Sequence, residues 1–412
     1  MKLAKHSLII DGNYFLHSRL FVLPNKKDEI LLSSEKSQKD LMRKLSIDLA
    51  AEVRKMSSFI DQVVVAVDAK SWRKDLFPEA QYKGTRTLDS SIDWNAVFNV
   101  YEEWQKILAK QGVIVHQING AEADDVLFGW STQLNNQGKN CIVWTGDRDL
   151  IQLVNYNQAM DAYTLWYYNS KKSLFAFKGF NDVLKQQKAN NISNDELLFN
   201  MANDAVLHDK MVEDMKDFIQ KDKVNITEVN CDEFIFTKIL QGDTSDNIKS
   251  VATWTKTTKS GKILNCSITE KMATKVLQQF IKENKEFTTD MFFNKDMVAK
   301  MADVIHRVIK KHTLKEIKQR LNQNIDLMLL HYNTIPDAIQ KEIYKNVEQD
   351  LNQKPNFKVI SKMDSILADT KWKPEKGSGA PKSFDPFAHL NKKTKTKKAK
   401  VKSVTKNKPK LF

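Results

Sequence analysis

The chain has 412 residues, 41% of them apolar, and a formal net charge of +14. This length allows two or three domains with buried cores, and no uninterrupted apolar stretch approaches a membrane span. Three widely spaced cysteines and eight histidines without zinc-type spacing argue against a disulfide framework or a zinc cluster. No signal-peptide pattern precedes the first predicted strand, so we expect a protein of the reducing cytoplasm that is not secreted.

Residues 1–165 alternate between strand-like and helix-like segments. Short apolar runs predict strands at 7–11, 62–68, 113–118 and 140–147, and apolar positions three and four apart predict helices at 40–56, 95–112 and 121–138. Two of these helices end at a glycine, which is a common stop signal. The alternation predicts an α/β fold with a parallel sheet and helices on its faces.

The remaining chain divides by composition. Residues 166–235 are rich in Asn, Lys and Asp and are interpreted as an insertion of unknown role, whereas 236–350 are expected to be mainly helical. Residues 351–412 form a predicted linker and a disordered, Lys-rich tail. From Lys371 onward the tail holds fourteen lysines and two acids, a local charge of +12 that leaves about +2 for the rest. Such a polycation favours an anionic polymer as partner, with a merely solubilising tail as the alternative.

Acidic residues form five short clusters, and four of them follow a predicted strand. Carboxylates at the ends of parallel strands would converge in the crevice where open α/β sheets bind ligands. Their repulsion needs a cation to offset it, and oxygen-rich sites suit Mg²⁺, with Mn²⁺ as a substitute. Two such ions would support phosphodiester hydrolysis. The clusters are Asp11; Asp68; Glu122, Asp124 and Asp125; Asp147 and Asp149; and Asp243 and Asp246.

A basic and aromatic segment, SWRKDLFPEAQYKGTR at 71–86, follows the Asp68 strand directly. Arg and Lys bind phosphates and aromatic rings stack on bases, so Arg73, Lys74 and Tyr82 are candidate nucleic-acid contacts. For Trp72 and Phe77, inward packing is the preferred interpretation. Lys83 and Arg86 are the candidates to act on a phosphate during catalysis.

These motifs together resemble the flap endonuclease/5′→3′ exonuclease family, which includes the nuclease domain of bacterial DNA polymerase I. LIIDG, VAVD with YKGTR, GAEADD, TGDRDLIQL and ILQGDTSDNI occur in the order of that family. Within it, WRKDLFPEAQYKGTR, the IDW segment at 92–94 and the IPDAI segment at 335–339 resemble the T-even phage ribonuclease H. The likeness covers about 6–165 and 236–350.

The resemblance implies a PIN-like nuclease core with a helical arch near 71–95 and a mainly α-helical C-terminal DNA-binding domain. The acids at 11, 68, 122, 124, 147 and 149 would match ligands of a first metal site, with Asp125 as a further member and Asp243 and Asp246 at a second. Lys83 and Arg86 would steer the scissile phosphate. The implied reaction is Mg²⁺-dependent removal of RNA primers and 5′ flaps during DNA replication, with ribonuclease H activity on RNA–DNA hybrids, in a phage-encoded monomer.

One segment departs from the family pattern. Relatives continue after the SDN motif with a Pro-Gly-rich hairpin that grips duplex backbone, often with potassium, whereas this chain has Gly261 as its single glycine there. Lys256, Lys259 and Lys262 are candidate phosphate contacts in its place, and a solvated loop is the alternative.

Two apolar signals stand in the charged tail: Phe384 with Phe387, and Leu411 with Phe412. They suggest docking to a sliding clamp or a single-strand-binding protein, and a featureless DNA tether is the rival interpretation. DNA and RNA–DNA hybrids are the expected substrates, and no membrane partner is expected. Two other functions stay open: a PIN-like single-strand RNA nuclease and a non-catalytic DNA-binding subunit of replication.

Overall fold

The computed structural model describes residues 6–24, 30–186 and 213–360. The tail motifs at 384–387 and 411–412, and with them the predicted partner contacts, lie outside these residues. Across the described ranges, no helix combines the length and the apolar character needed to cross a membrane.

A single eight-stranded sheet forms the centre of the molecule. Its order is β3-β2-β1-β4-β6-β7-β8, with β5 paired to β6. Pairing is parallel from β3 through β6, and antiparallel between β6 and both β5 and β7. The strands are β1 His6–Asp11, β2 Ile60–Val67, β3 Ile114–Gln117, β4 Cys141–Trp144, β5 Asn155–Asn157, β6 Ala162–Tyr168, β7 Ser173–Phe177 and β8 Asn225–Val229.

The helices begin and end where their sequence provides caps. Ser34 caps α2 and Asp93 caps α4 through their side-chain oxygens, and α4 ends just before Gly112, whose φ is +78°. The helices of the described residues include α1 Gly12–Leu20, α2 Glu35–Met56, α3 Arg73–Leu76, α4 Trp94–Lys110, α5 Ala123–Asn136, α6 Phe180–Gln186, α7 Cys231–Gln241, α8 Glu270–Asn284, α9 Lys295–Ile309, α10 Leu314–Met328, α11 Asp337–Asp350 and α12 Phe357–Ile360.

The strand order reverses direction at the β1–β4 pair. From β1 the chain adds β2 and then β3 on one side, and it crosses to place β4 on the other side. Every residue of β1 and β4 is buried, which explains why both segments are continuous apolar runs rather than alternating ones. A crevice at the carboxyl ends of these strands is where such a sheet binds ligands. The predicted α/β fold with a parallel core is confirmed.

The predicted domain boundaries differ from the observed packing. The boundary at 165 falls inside β6, and β7 and β8 come from the predicted insertion, so the sheet extends beyond the predicted core. Helix α11, predicted to belong to the helical region, instead packs on α5: Ile343 fills the space over Gly129, and Asp350 lies 2.8 Å from His116 of β3. Helices α7 to α10 pack around a second apolar core.

Two further segments differ from expectation. The predicted helical arch near 71–95 contains only the four-residue α3 and a 3-10 turn at Pro78–Ala80 before α4 begins. The segment after Asp246 is not a simple loop: β9 Thr253–Thr257 and β10 Ile263–Ser267 form an antiparallel hairpin.

Candidate functional site

Six aspartates line one cavity of about 490 Å³ at the carboxyl edge of the sheet. Asp11 is the last residue of β1, Asp68 follows β2, and Asp147 and Asp149 follow β4. Asp124 joins them from the first turn of α5, and Asp246 joins them from the loop after α7. The switch point in the strand order therefore brings together acids as distant in sequence as Asp11 and Asp246.

Hydrogen bonds hold the two central carboxylates in fixed orientations. Asp11 caps α1 by accepting from the backbone N–H of Tyr14 at 2.9 Å, and it also accepts from the Thr145 hydroxyl at 2.8 Å. Asp68 accepts from the Ala123 N–H at 2.6 Å and from the side-chain amide of Asn13.

Crowding and burial disfavour negative charge in this cavity. Burial raises the pKa of Asp11 to about 7, and the neighbouring Asp68 and Asp147 add to the shift. Burial and the charge of Asp147 likewise raise the pKa of Asp149 to about 7. The pKa of Asp124 lies well above its usual range for the same reasons. The cavity is therefore electrostatically suited to cations.

Lys83 and Arg86 reach the cavity from the segment after α3. The Lys83 ammonium group pairs with Glu122 and lies 3.9 Å from Asp246, and the Arg86 guanidinium pairs with Asp246. The backbone N–H of Lys83 donates to the Asp246 carbonyl at 2.8 Å, which ties this segment to the loop after α7. Both predicted catalytic residues therefore line the cavity, as do six of the predicted ligands.

Four predicted site residues point elsewhere and need correction. Asp125 forms a two-pronged ion pair with Arg73, with N–O distances of 2.7 and 3.0 Å, and both side chains are fully buried. Arg73 also contacts Glu122 at 3.2 Å, and the Tyr82 hydroxyl donates to Glu122 at 3.0 Å. Arg73 and Tyr82 are thus not exposed to a nucleic acid, and Asp125 and Glu122 serve as their partners instead of lining the cavity.

This buried cluster supports the cavity from below. Although burial acts to raise it, the charges of Lys83 and Arg73 lower the pKa of Glu122 to about 2. Glu122 stays ionised and holds Lys83 at the cavity wall. Lys74, the remaining predicted contact of this segment, is half-buried and does not line the cavity.

Asp243 lies beside the cavity and pairs with a residue that the sequence interpretation missed. The Lys238 ammonium group of α7 lies 2.7 Å from Asp149 and 3.5 Å from Asp243, and therefore bridges the strand-end acids and the loop acids. A lysine four residues before the GDTSDN motif was the available signal.

Other lining residues were also missed, among them Asn13, Tyr14, His17, Tyr101 and Gln117. Gly146, which directly precedes Asp147, was a partial signal for Tyr14. A Cβ on Gly146 would lie 2.6 Å from Cζ of Tyr14, so only glycine lets the Tyr14 ring pass over the loop after β4.

The donor chemistry fits divalent cations, although their coordination shell is not preassembled. Within the described ranges, no three Asp, Glu, His or Cys side chains are close enough together to hold an ion. Lys83, Arg86 and Lys238 pair with several of the carboxylates, as the distances above show. Aspartate oxygens in a crowded, buried cavity are nevertheless what Mg²⁺ or Mn²⁺ binds.

The hairpin lysines are placed away from this cavity. Lys256, Lys259 and Lys262 are exposed on or between β9 and β10 and do not line it. Their predicted contact with phosphates stays a prediction.

Comparison with known proteins relates the first part of the sequence to one family. The family model of the 5′-3′ exonuclease N-terminal, resolvase-like domain matches residues 6–185. The 5′-3′ exonuclease of Buchnera aphidicola is 30% identical over 152 residues, which is 36% of this chain and 49% of that protein. DNA polymerase I of Mycobacterium leprae is 35% identical over 91 residues, 22% of this chain and 9% of that protein. The chain thus spans about half or less of the curated relatives it matches.

Among solved structures, the T5 D15 protein co-crystallised with metal ions is 13% identical, with 89% of this chain and 100% of that chain covered. Its TM-score is 0.48. Residues 6–185 of this chain are thus similar to the N-terminal domain of the 5′-3′ exonuclease family.

Proposed function

We propose that the chain is a metal-dependent 5′ nuclease that hydrolyses phosphodiester bonds at 5′ ends and 5′ flaps and removes RNA primers during DNA replication. The observation that carries the proposal is the convergence of six aspartates with Lys83 and Arg86 on one cavity at the switch point of the sheet. A scaffold protein gains nothing from buried, mutually repelling carboxylates. The match of residues 6–185 to the 5′-3′ exonuclease family model supports the same class of reaction.

The cations of the cavity wall are suited to a phosphate group. Lys83 is fixed by Glu122 and by the backbone bond to Asp246, so its ammonium group is held ready before substrate arrives. Arg86 is more exposed, with 44% of its side chain accessible, and its fork-shaped guanidinium can bind two phosphate oxygens. Together they would orient the scissile phosphate and offset its charge.

Two divalent cations, Mg²⁺ or Mn²⁺, complete the proposal. Asp11, Asp68, Asp124 and Asp147 would hold the first ion, and Asp149, Asp243 and Asp246 would hold the second. Bound ions supply the charge neutralisation that attacking and leaving oxygens need in phosphodiester hydrolysis. Hydrogen bonds from Asn13 to Asp68 and from Thr145 to Asp11 keep the two carboxylates oriented toward the cavity.

Substrates and partners are proposed from the family resemblance and from the sequence of the tail. DNA flaps and RNA–DNA hybrids are the proposed substrates, acted on by a monomer. The tail residues Phe384, Phe387, Leu411 and Phe412 are proposed to dock on a sliding clamp or single-strand-binding protein. Deletion of 405–412 without loss of clamp-stimulated cleavage would contradict the clamp contact.

The test compares three substrates labelled at the 5′ end: a DNA flap, an RNA–DNA hybrid and single-stranded RNA. With Mg²⁺ we expect cleavage of the flap and the hybrid, and none with EDTA. Cleavage of single-stranded RNA alone would replace the proposal with a PIN-like RNA nuclease. Binding without cleavage of any substrate would identify a non-catalytic DNA-binding subunit.

A further inference from the structure

The hydroxyl group of Tyr101 is buried beside the aspartate cavity and has no hydrogen-bond partner among the described residues. Only 4% of the Tyr101 surface is exposed, and its hydroxyl oxygen neither donates to nor accepts from another described group. A few other buried polar atoms share this condition in the described part of the chain, but among them Tyr101 alone lines the cavity. Burying a hydroxyl without a partner costs free energy. A phenylalanine would fill the same space without that cost.

Packing fixes the ring of Tyr101 and the place of its hydroxyl. The residue belongs to the buried face of α4, where its ring stacks on Trp104 with centroids 5.7 Å apart and planes 19° apart. At the other end of the ring, a Cβ on Gly12 would collide with the hydroxyl oxygen, so the oxygen lies directly against the backbone of Gly12. Gly12 follows Asp11, the cavity acid that ends β1. The hydroxyl is therefore held at the carboxyl end of the central strand.

Negative charge in the cavity acts on this hydroxyl without bonding to it. Burial raises the pKa of Tyr101 well above its usual value, and the charges of Asp11 and Asp68 raise it further. The group thus stays protonated at neutral pH, and it can donate one hydrogen bond while it accepts others. The two carboxylates are oriented by other donors, as described above. The hydroxyl is therefore available to a group that enters the cavity.

We propose that the Tyr101 hydroxyl binds a water molecule that a divalent cation carries into the cavity. Mg²⁺ dehydrates reluctantly and keeps several waters when protein carboxylates bind it. Those waters need hydrogen-bond acceptors, and a tyrosine hydroxyl can accept from a water while it donates to a neighbouring carboxylate. Tyr101 is then a positioning residue for the cation that we assign to Asp11 and Asp68, and not a ligand of it. The inference rests on the proposed function, which supplies the cation.

This role separates stability from cation binding. In the absence of a cation the buried hydroxyl contributes no hydrogen bond, so its removal should not destabilise the fold. In the presence of the cation the hydroxyl contributes a hydrogen bond, so its removal should weaken cation binding. A tyrosine that serves packing alone would show neither effect on cation binding nor a gain in stability specific to the loss of its hydroxyl.

The test variant is Tyr101→Phe, which removes the hydroxyl and keeps the ring. The matched control is Tyr163→Phe, which removes a hydroxyl that lies outside the cavity and 2.8 Å from Nε2 of His6. Thermal unfolding in EDTA compares the stability of both variants with that of the wild type. Isothermal titration calorimetry with Mn²⁺ alone, on the full chain and without nucleic acid, measures cation affinity.

In EDTA we expect Tyr101→Phe to unfold at the temperature of the wild type or above it, and Tyr163→Phe to unfold at a lower temperature. Mn²⁺ should bind Tyr101→Phe about fivefold more weakly than the wild type, which is the effect of one hydrogen bond. Tyr163→Phe should bind Mn²⁺ as the wild type does, because its hydroxyl is remote from the cavity.

Equal Mn²⁺ affinity of Tyr101→Phe and the wild type would overturn the inference and leave the proposed function standing. If that result came with weaker binding of flap DNA in EDTA, measured by fluorescence anisotropy, the partner of the hydroxyl would be a substrate oxygen instead of a water. Destabilisation of Tyr101→Phe in EDTA as large as that of Tyr163→Phe would also overturn the inference, since the hydroxyl would then be bonded within the protein. A wild type that binds no Mn²⁺ would overturn the proposed function, and this inference with it.

Discussion

Lys238 and Asp149 form an ion pair of 2.7 Å between α7 and the loop after β4. The same ammonium group lies 3.5 Å from Asp243, so one lysine occupies the space between acids that we assign to the second cation. A fixed positive charge there competes with a metal ion for the same carboxylates.

Replacing Lys238 should therefore tighten cation binding. We expect Lys238→Ala to bind Mn²⁺ about tenfold more tightly than the wild type, which is about 1.4 kcal/mol, because one competing charge is gone. Isothermal titration calorimetry measures this directly. Lys238→Arg keeps the charge and should resemble the wild type; equal or weaker binding by Lys238→Ala would show that the lysine organises the site instead of competing for it.

Substitution by asparagine should affect the free energy of unfolding differently at the neighbouring residues Asp124 and Asp125. Asp125→Asn breaks the buried pair with Arg73 and should lower the free energy of unfolding by about 3 kcal/mol, since it leaves a buried charge without its partner. Asp124→Asn relieves repulsion in the cavity and should leave stability unchanged or raised. Urea unfolding of the two variants in EDTA checks the contrast, and equal destabilisation by both would contradict it.

Gly146 should tolerate no side chain while Tyr14 is present. In Gly146→Ala the new Cβ would meet the Tyr14 ring, so we expect the ring and the loop carrying Asp147 to shift and the cleavage rate to fall at least tenfold. The double variant Tyr14→Ala with Gly146→Ala removes the clash. We therefore expect Gly146→Ala to lower the cleavage rate less in the Tyr14→Ala background than in the wild type. An active single variant, or a double variant worse than the sum of both changes, would show that the close approach is unimportant.

His6 should make stability depend on pH outside the cavity. Burial lowers its pKa from 6.5 to about 4, and its Nε2 lies 2.8 Å from the Tyr163 hydroxyl. Because the unfolded chain binds a proton between pH 6.5 and pH 4 and the folded chain does not, acidification favours unfolding in that window. Relative to His6→Gln, the wild type should lose about 3 kcal/mol of stability on going from pH 6.5 to pH 4. Parallel pH profiles for both proteins would contradict the assignment.

Much of the core could be predicted because its signals are local. Continuous apolar runs gave β1, β2 and β4, and the acids that follow them, such as Asp11 and Asp147, line the cavity as expected. The neighbours Asp124 and Asp125 could not be separated in this way. Successive residues of a helix are about 100° apart, so Asp124 faces the cavity and Asp125 faces Arg73.

Other features depend on contacts that are distant in sequence. Arg73 has the local setting of a surface loop, and only its pairing with Asp125, 52 positions away, reveals that it is buried. Strand β8 reads NITEV, too short and polar to stand out, and the sheet exists there because β7 pairs with it. The β9–β10 hairpin did carry a signal, Thr, Trp and Ile around a turn with Gly261, although the sequence analysis predicts no strands there.

The central claim, that the aspartate cavity performs metal-dependent hydrolysis, is tested by release of the 5′-labelled product from a DNA flap. The wild type and Asp124→Asn are compared with Mg²⁺ and with EDTA, after urea unfolding has shown that both are folded. We predict cleavage by the wild type with Mg²⁺ only, and at least a hundredfold lower rate for Asp124→Asn. Equal rates for the two proteins, or cleavage by the wild type in EDTA, would contradict the account.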